Sequence, residues 1–234
     1  MAPSATVAES RGSIAPPWHT IIVLVGLVGL AIAVARSATL PFVEAYGKGA
    51  AYAWIILFEC AIVGFIYFGL SRSGMSLRDL VGGSWTRPTA IFRDAAISLV
   101  FLVIIFVGSQ VLGNLLQAEP NEAVRNLIPG SSTQVVLYLT LTLTAAFSEE
   151  VIYRGYLQRQ FSALTRSASG GIALQALTFG AGHTYQGWKF VLIISVIGAM
   201  FGLLAHRCRS LRPGMIAHFL QDGIGGLLAR KLLT

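Results

Sequence analysis

Charge is scarce in this 234-residue chain: Asp, Glu, Lys and Arg make up 12% of it, against 55% apolar residues. Soluble domains carry about 25% charged residues, so this scarcity excludes a water-soluble globule, and the apolar content excludes a disordered or collagenous chain. Cysteine is nearly missing. Cys60 lies inside an apolar run and Cys208 in a basic loop, which excludes a disulfide framework and a paired-cysteine metal site. Acids are outnumbered, 10 against 17 Lys and Arg, for a formal net charge of +7. The basic residues are nevertheless scattered between apolar runs rather than gathered into the stripe that nucleic acid requires, so no nucleic acid partner is expected. There is no internal repeat and no Gly-x-Ser-x-Gly elbow, and a serine nucleophile is therefore unsupported.

What the chain has in abundance is long apolar runs, at 21–35, 50–70, 95–116, 135–147, 171–182, 190–205 and 215–228. A ~30 Å hydrocarbon core needs about 20 helical residues per crossing, and the shorter runs are read as helices that continue past the polar residues interrupting them. The expected fold class is all-α, a polytopic transmembrane helical bundle of about 7–8 spans with no separate soluble domain. Residues 1–17, rich in Ala, Ser and Pro, read as a disordered cytoplasmic tail. Residues 18–131 read as N-terminal transmembrane helices and 132–234 as the transmembrane helices that carry the chemistry, all in one integral bundle. Ala33-Val34-Ala35 mimics a signal-peptide cleavage site, but only Arg11 precedes the run and more spans follow, so an uncleaved first helix is preferred. Lys and Arg are commoner in the loops around Arg72–Arg93, Arg154–Arg166 and Arg207–Arg212. That bias assigns those loops, and the N-terminus, to the cytoplasmic side of what is expected to be a bacterial inner membrane. The segment Met75–Val81 suits a short amphipathic helix on the headgroups.

Ionisable side chains inside hydrocarbon cost at least ~2.5 kcal/mol on insertion scales, so the few that occur are candidates for function. Glu59 stands alone in the second run and reads as a carboxyl held between helices; Arg93 and Asp94 read as boundary residues, His19 as interfacial and His206 as loop. The segment Ser148-Glu149-Glu150-Val151-Ile152-Tyr153-Arg154-Gly155 is different. On a helix Glu150 and Arg154 share a face and pair, whereas Glu149 projects about 100° away and is left to act as a base or ligand. Further on stand His183, after Phe179-Gly180-Ala181-Gly182, and His218 with Asp222 four residues later on one helix face. At ~1.5 Å per residue, Glu149 lies roughly 15 Å from Arg159, Asp222 roughly 15 Å from Arg212 and His183 roughly 20 Å from Ser169, all near mid-membrane.

In a closed, dry cavity a carboxylate and a histidine deprotonate a water while further polar groups stabilise the oxyanion formed when it attacks an amide. A zinc alternative uses the same residues, with His183, His218 and a carboxylate, Glu149 or Asp222, as ligands to a divalent metal and water as the fourth.

In order and spacing, Glu149-Glu150-x-x-x-Arg154, Phe179-x-x-x-His183 and His218-x-x-x-Asp222 resemble the three signature motifs of the CAAX protease and bacteriocin-processing family, also called Abi proteins or type II CAAX endopeptidases. The likeness runs from about Ser132 to the C-terminus. It implies an intramembrane endopeptidase that hydrolyses membrane-anchored or transmembrane protein or peptide substrates, by either a glutamate-dependent or a metal-dependent route. By the same resemblance Glu149 and His183 activate water, His218 and Asp222 stabilise the oxyanion or help bind a metal, and Glu150 with Arg154 organises the site. The best-known members carry Asn where this chain has Asp222; ionised Asp accepts hydrogen bonds but cannot donate one. Two other readings fit an integral membrane protein: a non-catalytic scaffold or bacteriocin-immunity factor of the same fold, and a proton-coupled transporter. The lack of inverted repeats weighs against the transporter.

Overall fold

The computed structural model describes residues 13–233, and among these every regular element is helical. Residues 1–12 of the expected tail lie outside the described residues. In chain order the elements are α1 (Pro17–Ser37), α2 (Leu40–Arg72), α3 (Leu77–Val81), α4 (Pro88–Leu116), α5 (Glu122–Asn126) and α6 (Ser132–Glu149). A π-helical turn (Glu150–Leu157) then leads into α7 (Gln158–Thr165), followed by α8 (Ala168–Gly182), a 3-10 turn (Thr184–Gln186), α9 (Trp188–Cys208) and α10 (Arg212–Leu233).

Each of the seven apolar runs falls inside a helix, but among the described residues only five helices are long and apolar enough to cross a membrane: α1, α2, α4, the continuous 132–165 rod and α9. α8 has 15 residues, short of a full crossing. α10 has the length, but His218, Gln221, Asp222, Arg230 and Lys231 dilute its apolar character. The five apolar helices turn Val, Ile, Leu and Phe outward, for example Phe92, Val100, Val103 and Leu115 on α4. Such exposure is the expected state of a lipid-facing surface, and the chain is an integral membrane protein.

Local chemistry sets the helix ends. Proline at the first turn starts α1, α2 and α4, where the missing N–H is not needed. Ser131 and Gln134 form a reciprocal capping box at the start of α6. The Met75–Val81 segment becomes the short α3, started by a capping box between Ser76 and Asp79 and ended by Gly82 at φ 93°. Hydrogen bonds from the Ser76 hydroxyl and amide hold the exposed Asp79 carboxyl below its ordinary range.

With lipid outside, the interior is joined by small residues and polar contacts rather than by the expulsion of water. α8 and α9 approach through glycine: a Cβ on Gly180 would stand 2.6 Å from the Val191 carbonyl, and one on Gly198 3.3 Å from the Ala176 Cα. Asp94, near the start of α4, is fully buried. It accepts from Trp85 Nε1 at 2.8 Å and pairs with Arg212 at 3.2 Å, while Ser98 donates to the Pro213 carbonyl, so the starts of α4 and α10 are tied together.

The chain is anchored before α1 begins. Ile14 and Ala15 are buried, and both of their amides donate to Gln160 Oε1. His19, in the first turn of α1, is 1% exposed, stacked on Phe65 and bonded to the Phe65 carbonyl through Nε2 and to the Tyr156 hydroxyl through Nδ1. A carbonyl only accepts, so Nε2 carries the proton and Nδ1 accepts from Tyr156.

Candidate active site

The 132–165 rod leaves α-geometry at Glu150, and all eight residues of the π-turn are buried. Single π-turns inside α-helices are rare and concentrate at functional sites. Here the turn carries Glu150 and Arg154 inward. Glu150 is fully buried, with Oε1 3.1 Å from Arg154 Nη1 and 3.2 Å from His218 Nδ1. Arg154, counted above among cytoplasmic loop charges, is instead 2% exposed in the bundle. Its guanidinium lies 4.3 Å from the Phe179 ring and 5.0 Å from the Phe201 ring. A delocalised cation tolerates such burial when its charge is met by a carboxylate and by ring faces.

His218 is the hub. It projects from α10, 5% exposed, between the Phe179 and Phe201 rings. Nδ1 faces Glu150, while Nε2 stands 3.5 Å from Glu149 Oε2 and 3.4 Å from Asp222 Oδ2. The expected i, i+4 pairing of His218 with Asp222 is present. Glu149 diverges from Glu150 as its helical position requires, but the two acids converge on opposite nitrogens of one imidazole. The side chains of Glu149 and Asp222 remain 15% and 34% exposed, so the reachable side of the cluster is theirs.

His183 stands a step further out, at the C-cap of α8. Its Nδ1 is 2.9 Å from the Phe179 carbonyl, so Nδ1 donates and Nε2 keeps its lone pair. It lies within electrostatic reach of Glu149. The other side chains of the expected set, Glu149, Glu150, Arg154, His218 and Asp222, are joined by direct contacts.

A further carboxyl lies near the cluster, outside the expected set. Glu59 of α2 is 2% exposed and does not stand alone: it is within electrostatic reach of Glu149, His218 and Asp222, and its Oε2 has no hydrogen-bond partner. The signal was an acid in an otherwise apolar run, but its distance from the others depends on how α2 packs against α6. An apolar groove of about 560 Å³ lies between α2, α3 and α6, lined by Cys60, Tyr67, Leu77, Leu143, Phe147 and Ser148 among others.

For a metal the fit is poor. Among the described residues no group of three or more His, Cys, Asp or Glu side chains is disposed to hold an ion, and both nitrogens of His218 face carboxylates.

Bundle and site together define a helical integral membrane protein with an acid–histidine centre inside the bundle. Residues 131–224, from the cap of α6 to just past Asp222, match the family model described as type II CAAX prenyl endopeptidase Rce1-like, the family that the three motifs resemble. No curated protein and no solved structure matches the chain.

Proposed function

We propose that the chain is an intramembrane endopeptidase that hydrolyses membrane-anchored peptides by direct attack of water. The observation that carries this reading is the partly open Glu149 carboxylate 3.5 Å from the Nε2 of a buried, carboxylate-clamped His218. A base must hold a fixed place and still reach a water, and Glu149 meets both conditions.

In this scheme Glu149 takes a proton from water, assisted by the free Nε2 of His183, as the oxygen attacks the peptide carbonyl. The C–O bond forms, the carbonyl electron pair moves onto oxygen, and a tetrahedral oxyanion results. Its collapse breaks the C–N bond, and the proton held on Glu149 passes to the departing amine. Arg154 and Glu150 take no proton. They fix His218, much as a buried carboxylate orients the imidazole in other hydrolases. α8 and α10 complete a seven-helix membrane body around this centre, and the groove between α2 and α6 gives an anchored substrate a lateral way to Ser148 and Glu149. The family match gives no support to the scaffold and transporter readings.

The test compares peptide termini across the membrane proteome of cells carrying the native chain or Glu149→Gln at equal expression. Termini that vanish in the variant support proteolysis and identify the substrate. Identical termini overturn it.

A further inference from the structure

Oxyanion stabilisation needs hydrogen-bond donors, and the centre is rich in acceptors instead. Glu59, Glu149, Glu150 and Asp222 are carboxyl groups. Both ring nitrogens of His218 face three of them, the Nδ1–H of His183 is given to Phe179, and Arg154, whose Nε has no hydrogen-bond partner, is buried behind His218 against Glu150 and the Phe179 and Phe201 rings. The tyrosines near the centre are partly spent as well: Tyr52 donates to the Leu127 carbonyl and Tyr138 to the Asp222 carbonyl.

We propose that Tyr185 supplies the donor, its hydroxyl hydrogen-bonding the oxyanion of the tetrahedral intermediate; the inference rests on the proteolytic reading above. Tyr185 sits on the 3-10 turn directly after His183, its ring 6.1 Å from the His183 ring at an interplanar angle of 30°. Its main chain is fixed, because Asn121 Nδ2, at the cap of α5, donates to its carbonyl at 2.7 Å. Gln186 Nε2 donates to the hydroxyl oxygen at 3.0 Å, filling an acceptor position and leaving the phenolic proton to give. The side chain is half-buried and lies within electrostatic reach of Glu149 and Asp222. Tyr153 also lies near Glu149 but is 4% exposed, with its ring packed edge-on against Phe179.

The experiment measures cleavage of a membrane-anchored fluorogenic peptide by the full chain in lipid nanodiscs, for wild type, Tyr185→Phe and a series with fluorinated tyrosines at position 185. Loss of one oxyanion donor lowers kcat on the order of 100-fold. The expected result is that loss in Tyr185→Phe with KM within about twofold, and in the fluorotyrosine series a kcat that rises with phenol acidity while the phenol stays protonated. A kcat for Tyr185→Phe within about twofold of wild type overturns the role. So does a loss in Tyr185→Phe accompanied by a flat fluorotyrosine series, because packing would then explain it. If wild type itself fails to cleave, the proteolytic reading falls and this one with it; an active wild type beside an unimpaired Tyr185→Phe removes only Tyr185.

Discussion

His218 Nδ1 meets Glu150 Oε1 at 3.2 Å, and Arg154 Nη1 meets the same oxygen at 3.1 Å, so one buried carboxylate oxygen joins the last helix to the π-turn. Breaking a buried pair on one side leaves an uncompensated charge and costs about 3–5 kcal/mol, whereas removing both charges costs far less. Arg154→Met is therefore expected to lower stability by about that amount. The double variant Glu150→Gln/Arg154→Met is expected to be more stable than Arg154→Met alone, read from unfolding midpoints in detergent as a double-mutant cycle.

Gly180 sets the distance between α8 and α9. Gly180→Val puts a Cβ 2.6 Å from the Val191 carbonyl, and overpacking of this kind costs about 1–3 kcal/mol. Because His183 caps the same helix three residues on, cleavage should fall by more than the loss of folded protein explains. Activity per folded molecule, counted by size-exclusion chromatography, checks this.

Glu59 trades stability for its place near the centre. A buried polar group lacking a partner costs about 1–3 kcal/mol, so Glu59→Met is expected to raise the unfolding midpoint. If Glu59 assists the neighbouring acids, the same variant loses activity, an opposition common at functional sites. A midpoint that falls would contradict the burial argument.

At α3 the pH dependence has a definite sign. The Asp79 carboxyl is held below its ordinary value near 3.8 by Ser76, so its contribution is present above that value and disappears as pH falls through the lowered one. The protection of the α3 amides, taken relative to intrinsic exchange at each pH, should fall below about pH 4 in the native chain and be low at all pH values in Asp79→Ala.

Much of this arrangement is legible locally. Glu150 with Arg154, and His218 with Asp222, are pairs set by helical repeat, and both form. The seven apolar runs mark seven helices for the same reason. What could not be read depends on packing between distant segments: the π-turn that draws Arg154 from an expected loop into the bundle, the approach of Glu59, and the anchoring of Ile14 and Ala15 by Gln160. The crossing number also resists counting, since α8 is too short to span alone and α10 is diluted by the polar residues that serve the centre.

The most direct test of the central claim is the initial rate of cleavage of one membrane-anchored peptide by the purified chain in nanodiscs, wild type beside Glu149→Gln, with products identified by mass spectrometry. Loss of a general base lowers the rate about 10²–10⁴-fold, and a drop in that range with an unchanged unfolding midpoint is the expected result. Equal rates for the two proteins would contradict it.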